Sequence, residues 1–327
     1  SGGEHKNYAY DAGKRALEDY FQRNNISAKV HLIGTPEMYR IQYLYSKEPK
    51  ISIIIPTKDK KDVLNTCLNS LYNNTNYSNY EVIVVDNNSQ EPETFALLND
   101  YKNKYKNFKV LRLECEFNYS YLNDEAVKNA TGEYIVLLNN DTEVISPNWL
   151  SEMVGYAMQN HVGCVGAKLL YPNQTIQHAG VVVGVGGIAM HAFVSTGRNQ
   201  YGYFGRLVSV YDYSCVTAAC LMIKKSKYLE VNGLDEKLKV AYNDVDLNLK
   251  LLEKGYNNVV LPHVELFHYE SLSRGNDMSS SQIKRFKEET DYMCDKWKDK
   301  LLTDKFYNDN FSYNYAFRLD RRNEHDK

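Results

Sequence analysis

The sequence lacks an excess of charge, a cysteine framework and a long apolar run, and each lack removes a class of function. With 39 basic and 41 acidic residues the formal net charge is -2. No field of one sign exists to gather nucleic acid or an anionic membrane, so a ligand must be recognised locally. The six cysteines, at 67, 115, 164, 215, 220 and 294, contain no Cys-x-x-Cys pair. That spacing argues against a zinc site and a disulfide scaffold and predicts a reducing, cytoplasmic setting. No apolar stretch reaches the roughly 18 residues that span a bilayer, and Ser1-Gly2-Gly3-Glu4-His5 lacks the layout of a signal peptide. The expectation is a chain without a membrane span, brought to the inner face of a membrane, if at all, by partners or by domains outside it. The missing initiator Met suggests a segment of something longer.

What is present is enough apolar material for a large core: 43% hydrophobic and 13% aromatic over 327 residues. Apolar residues from Tyr8 to Phe21 fall at helical spacing, and Tyr39 to Tyr45 reads as extended. Residues 1–48 are therefore an accessory segment, closed by the polar break Lys47-Glu48-Pro49-Lys50. Ile51-Ser52-Ile53-Ile54-Ile55 then reads as a buried parallel strand stopped by Pro56. A helical stripe at Val63, Leu64, Cys67, Leu68 and Leu71 leads to a second strand, Glu81 to Val85, ending at Asp86. Lys109 to Leu113 is a third strand, Tyr119 to Ala130 a helix, and Tyr134 to Leu138 a fourth strand running into Asn139-Asn140-Asp141. This alternation predicts an α/β fold, a largely parallel sheet flanked by helices, with ligands beyond the carboxyl ends of the strands. Residues 49–145 form the nucleotide-binding half and 146–275 a looser, glycine- and aromatic-rich half for a second substrate. A helix from Asp244 to Lys254 stops at Gly255, a strand ends near His268, and Ile283, Phe286, Met293, Trp297 and Leu301 predict a C-terminal helix in 276–327.

The strand-end positions carry the chemistry. Asp86, followed by Asn87-Asn88-Ser89, suits hydrogen bonds to a base or ribose, although the same residues also make an ordinary turn. Asp141 presents a carboxylate where a divalent cation could bridge two phosphates. His268, in Leu266-Phe267-His268-Tyr269-Glu270, is a natural second ligand, or a satisfied histidine under a loop. In Asn243-Asp244-Val245-Asp246 the helix N-terminus favours negative charge, which accounts for one aspartate; the other could serve as a general base. Arg274, near Ser271 and Ser273, could neutralise a leaving diphosphate. Gly184-Val185-Gly186-Gly187 does not sit between a first strand and a helix in a βαβ unit and is discounted as a dinucleotide loop.

Taken together, Ile51 to Thr57, Val84-Val85-Asp86-Asn87-Asn88-Ser89, Leu137-Leu138-Asn139-Asn140-Asp141-Thr142, Asn243-Asp244-Val245-Asp246-Leu247 and His268-Tyr269-Glu270-Ser271 resemble the family-two inverting glycosyltransferases. Gly166 to Pro172, Thr175 to Gly180 and Thr217-Ala218-Ala219-Cys220 are similar to the subgroup that builds O-antigen, rhamnan and cell-wall polysaccharide, whose domains are often parts of larger enzymes. The resemblance spans about Ile51 to Gly275. It implies a GT-A fold, a UDP- or dTDP-linked sugar donor, a glycan or lipid-linked glycan acceptor, and Mn²⁺ or Mg²⁺ held by Asp141 and His268. Pro56, Thr57, Asp59, Asp86, Asn88, Asn118, Asn123, Asn140 and Arg274 would surround the nucleotide sugar, and Asp244 would be the base. Lys168, His178, Tyr203 and Asp246 would face the acceptor, with His191, Tyr201 and Asp212 as further cleft residues. The usual Asp-x-Asp reads Asn139-Asn140-Asp141 here, which predicts modest metal affinity. A nucleotidyltransferase is disfavoured because Pro56-Thr57-Lys58-Asp59-Lys60 has no glycine. A noncatalytic nucleotide- or glycan-binding module of a larger synthase is the remaining alternative.

Overall fold

The computed structural model describes residues 7–34, 38–270 and 279–319. In chain order the elements are α1 (Asn7–Arg23), β1 (Ala28–Ile33), β2 (Met38–Tyr43), β3 (Ile51–Thr57), α2 (Lys61–Asn73), β4 (Tyr80–Asp86), α3 (Pro92–Lys104), β5 (Phe108–Arg112), α4 (Tyr119–Asn129), β6 (Tyr134–Leu138), β7 (Thr142–Val144) and α5 (Trp149–Ala157). There follow β8 (Val162–Leu170), β9 (Ile176–His178), β10 (Val181–Val183), β11 (Ala189–His191), β12 (Tyr211–Tyr213), β13 (Cys220–Lys224), α6 (Lys225–Glu230), α7 (Asn243–Glu253), β14 (Asn257–His268) and α8 (Ser280–Trp297).

The central sheet runs β12-β14-β8-β13-β6-β3-β4-β5, with β7 and β9 attached to β14 and β8. Its first half is parallel as expected: β3 pairs with β4 and β6, and β4 with β5, all in parallel. The second half is mixed, because β13 inserts antiparallel between β6 and β8. One sheet therefore crosses the boundary between the two halves read from the sequence. The unbroken apolar runs follow from burial on both faces. Ile53, Ile55, Val82, Val84, Val136 and Leu138 pack on one side with α2, α3 and α5, whereas Ile54, Ile83, Val85, Ile135 and Leu137 pack on the other with α4 and α7.

Pro56 does not stop β3. The strand continues to Thr57, still paired with β4, whereas pairing with β6 ends at Ile54. Only one ladder partner remains at the proline, a position where a missing N–H is tolerated. The accessory segment adds an unexpected β1–β2 hairpin, which docks through Tyr43 on Tyr156 of α5, ring centroids 4.9 Å apart. Helix α8 buries its side chains in its C-terminal half: Met293 and Trp297 are buried, but Ile283 and Phe286 are exposed, Phe286 lying beside the Tyr242 ring. Gly255, at φ +87°, ends α7 as its sequence position predicts.

Candidate active site

The carboxyl ends of β3, β4 and β6 lie side by side and bring three of the expected nucleotide-side residues together. Thr57 is in register with Asp86, and the Asn140 side-chain amide donates to Thr57 Oγ1 at 2.9 Å. Asp86 is buried and has two partners. Its Oδ1 accepts the Ser89 N–H at 3.1 Å, the turn role, and its Oδ2 accepts from Arg112 Nη1 at 2.6 Å. Arg112, absent from the sequence-based set, ends β5 directly opposite Asp86 and lies over the Phe95 ring. Its signal was available: it is the last residue of the third parallel strand, at the same sheet edge as Asp86.

Asp141 follows β6 and is pinned from two sides. The Tyr269 N–H donates to its backbone carbonyl at 2.9 Å, and β7 and β14 pair His268 with Thr142. His268 Nε2 then stands 3.2 Å from Asp141 Oδ1 and 3.3 Å from the Asn139 side-chain amide. Two ligands at neighbouring corners of an octahedron of about 2.1 Å radius lie about 3 Å apart, so this pair fits one edge of a Mg²⁺- or Mn²⁺-sized site. His268 Nδ1 is buried without a hydrogen-bond partner among the described residues. No set of three or more His, Cys, Asp or Glu side chains among the described residues is arranged around a metal. A cation held by this pair would complete its shell with oxygens from water or a bound ligand.

Asp244 is half-buried near the start of α7. Its Oδ2 accepts the Ala218 N–H at 3.1 Å and its Oδ1 accepts its neighbour Val245 N–H at 2.8 Å. The adjoining Ala219 carbonyl accepts the Asn139 N–H at 3.0 Å. The short stretch Ala218-Ala219 thus ties the helix bearing Asp244 to the loop bearing Asp141. Tyr242, immediately before α7, is held at φ 61°, a left-handed conformation that a tyrosine adopts only under tertiary constraint.

Several expected contacts have other partners. Asp246 is fully buried and accepts from Trp297 Nε1 at 2.9 Å, with Lys296 at 2.6 Å and Lys250 at 3.2 Å. It faces α8, not an acceptor. Lys168 is likewise buried, paired with Glu265 at 2.7 Å beside Arg198, and is not a cleft cation. Burial alone would raise the Glu265 carboxyl, but hydrogen bonds from Arg198 and Lys168 outweigh it and hold it below the usual range. Asn123 is buried with its amide nitrogen bonded to the Tyr119 carbonyl at 2.8 Å, so it does not reach a donor surface. Asn118 caps α4 by accepting the Tyr121 N–H and reaches the Glu236 carbonyl. Asp59 accepts the N–H groups of Gln90 and Glu91, and Asn88 accepts from Gln90. Both shape the loops over Asp86.

Pro56 is buried in β3. Tyr203 stands in an aromatic cluster with Phe204, Phe311 and Phe317, and the residue is 40% exposed. The Tyr201 hydroxyl abuts Gly34 near the end of β1, and Asp212 accepts from Asn257 at 3.1 Å. His178 is buried against His191. Arg274, Ser271 and Ser273 lie outside the described residues.

A mixed sheet with carboxylates at its strand ends defines the class as an α/β domain whose ligands belong beyond that edge. Residues 52–228 match glycosyl transferase family 2, and the chain belongs to that family. It is 45% identical over 309 residues to the uncharacterized protein y4gI of Sinorhizobium fredii, covering 94% of this chain and 34% of that protein. It is 40% identical over 272 residues to the O-antigen biosynthesis protein RfbC of Myxococcus xanthus, covering 82% of this chain and 21% of the relative. The chain thus spans about a third and a fifth of the lengths of these two relatives. Among solved structures, GalNAc-T7 with UDP, GalNAc and Mn²⁺ superposes with a TM-score of 0.64 at 15% identity, over 80% of this chain and 50% of that one. The mannosyltransferase PcManGT of Pyrobaculum calidifontis, with GDP-Man and Mn²⁺, gives 0.52 at 16% identity, over 68% and 57%. These likenesses establish the GT-A fold. No helix among the described residues is long and apolar enough to cross a membrane.

Proposed function

We propose that this chain transfers a sugar from a nucleotide-sugar donor, UDP- or dTDP-linked, to a hydroxyl of a glycan acceptor, inverting the anomeric centre. The observation that carries the reading is the link through Ala218 and Ala219, which holds Asp244 and the Asp141 loop at one sheet edge. Thr57, Asp86, Asn140 and Arg112 form the nucleotide side. The Asp86 carboxylate with the adjacent guanidinium supplies an acceptor and donors matched to the imide edge of a pyrimidine base. Asp244 takes the proton of the acceptor hydroxyl as that oxygen bonds to the anomeric carbon. The carbon–oxygen bond to the diphosphate breaks, and its electron pair leaves with the nucleoside diphosphate. Asp141 and His268 would hold Mn²⁺ or Mg²⁺, which when bound offsets charge on the departing diphosphate.

The RfbC relative is named for O-antigen biosynthesis, which supports a role in bacterial surface polysaccharide assembly. Its greater length supports a polypeptide with further domains. The test is donor binding and turnover across UDP-, dTDP- and GDP-sugars with and without Mn²⁺, for the intact chain and Asp244→Asn. Turnover of one donor, reduced by roughly 10²- to 10⁴-fold in Asp244→Asn with binding retained, is expected. Binding of no nucleotide sugar overturns the reading.

A further inference from the structure

His178 and His191 meet Nδ1 to Nδ1 at 2.9 Å, with rings inclined at 85°. The backbone links this pair to the segment that donates to Asp244. His191 is paired with Val181 across β10 and β11, and Val181 exchanges backbone hydrogen bonds with Cys215 at 3.0 and 3.3 Å. Three residues further on, Ala218 donates to Asp244. The carboxylates of Asp244 and Glu270 act electrostatically on His191.

The hydrogen bonds around the pair assign its protons. Two imidazole nitrogens in contact share one proton, so one donates and the other accepts. The Gly180 N–H points at His178 Nε2 at 3.4 Å, so that nitrogen is the bare acceptor. Gly180 sits at φ +107°, and a Cβ there would lie 2.4 Å from the Tyr213 ring, so the backbone that aims this N–H needs glycine. A neutral imidazole with a bare Nε2 carries its hydrogen on Nδ1. His178 therefore donates to His191 Nδ1, and a neutral His191 carries its hydrogen on Nε2. Burial pushes His178 well below the ordinary histidine range and pushes His191 down as well, against the pull of Asp244 and Glu270. His178 is fully buried whereas His191 is half-buried, so His191 is the member that can meet a ligand.

We propose that His191 is a substrate-binding residue that offers Nε2–H to a sugar hydroxyl oxygen beside Asp244, and that His178 is the positioning residue that fixes this tautomer. The inference rests on the sugar-transfer reading of the site. A neutral N–H donor beside the base has a chemical logic. It binds a hydroxyl oxygen without competing for the hydroxyl proton, which a bare nitrogen would do, and without placing a full positive charge against the carboxylate. Donor and acceptor sugars both present such hydroxyls, and kinetics separate them.

The variants are His191→Leu, His191→Gln, which places an amide N–H near the Nε2 position, His178→Leu, and His178→Asn, which keeps an N–H near Nδ1. His191→Leu is expected to lower kcat/KM about tenfold or more through KM, with substantial recovery in His191→Gln. His178→Leu should show a smaller loss that His178→Asn restores, with melting temperatures tracking none of these differences. A raised acceptor KM with unchanged donor hydrolysis assigns the acceptor; a raised donor KM in hydrolysis assigns the donor sugar. Long-range ¹H–¹⁵N spectra of the imidazoles should show His191 protonated at Nε2 and His178 at Nδ1. His191 protonated at Nδ1, or folded His191→Leu with wild-type kinetics beside an active wild type, overturns the inference alone. A wild type that binds no nucleotide sugar removes the sugar-transfer reading, and this inference with it.

Discussion

The Ala218 backbone N–H donates to Asp244 Oδ2 at 3.1 Å, so the carboxylate we propose as the base is oriented by the segment leading into β13 as well as by its own helix. Two backbone donors hold both oxygens, with no ion pair to a charged side chain among the described residues. Charge alone should then be insufficient at this position. Asp244→Glu retains the carboxylate but moves it by one methylene, about 1 Å or more, and turnover should fall on the order of 10²-fold while nucleotide binding persists. Steady-state transfer assays beside calorimetric binding decide it. Near-wild-type turnover would show that the placement fixed by the two backbone donors is not what the carboxylate at this position needs.

The metal edge is built from one carboxylate and one imidazole, with Asn139 close to the latter. Replacing either Asp141 or His268 by Ala should weaken Mn²⁺ binding, measured with UDP present, by roughly tenfold or more. Asn139→Asp supplies a second carboxylate and should tighten it several-fold. Calorimetric titration with Mn²⁺ gives the comparison; equal affinities in all four proteins would place any cation elsewhere.

Arg112 joins the buried Asp86 carboxylate to the surface. In Arg112→Ala, Asp86 loses its charged partner and the nucleotide side loses a donor. Affinity for the preferred nucleoside diphosphate should fall roughly tenfold, with the melting temperature also lowered. The same titration with Asp86→Asn/Arg112→Ala should show much less than the sum of the single effects if the two act as a unit.

Asp246 sits among Trp297, Lys296 and Lys250 with no exposed surface. Asp246→Ala leaves two lysines facing each other across an emptied site and should destabilise the fold by about 3 kcal/mol in urea titration. The acceptor KM of the protein that remains folded should not change. A raised KM with unchanged stability would return Asp246 to the substrate.

Glu81 gives a pH signature far from the site. Burial would raise its carboxyl, but hydrogen bonds from Lys109, Ser52 and Thr131 outweigh that effect and hold it at about 2, below the ordinary 4.5. A group depressed in the folded state stabilises it above the ordinary value, and that contribution disappears as the pH falls towards about 2. Screened by solvent at its half-exposed lysine partners, this contribution at neutral pH is on the order of 2 kcal/mol. Urea midpoints should therefore fall between about pH 4.5 and 2 in the wild type and change less in Glu81→Gln.

Residues near in sequence wrote much of this protein. The apolar runs of β3, β4 and β6 must be buried on both faces, and strands so buried place their terminal polar residues, Thr57, Asp86 and the Asn139 to Asp141 loop, at one edge. Helix α7, with its acidic start and Gly255 stop, was equally legible from local spacing. Periodicity, however, reports a side chain's face and not its partner. Asp244 and Asp246 are two residues apart at one helix N-terminus, yet one meets Ala218 beside the cleft and the other is clasped by Trp297 from α8. Lys168 and Arg112 show the same limit, since each is matched to a carboxylate distant in the chain. The insertion of β13 between β6 and β8, the approach of His268 to Asp141 and the contact of His178 with His191 are long-range pairings. They exist only once the sheet has closed, because their free energy comes from groups that the unfolded chain holds apart.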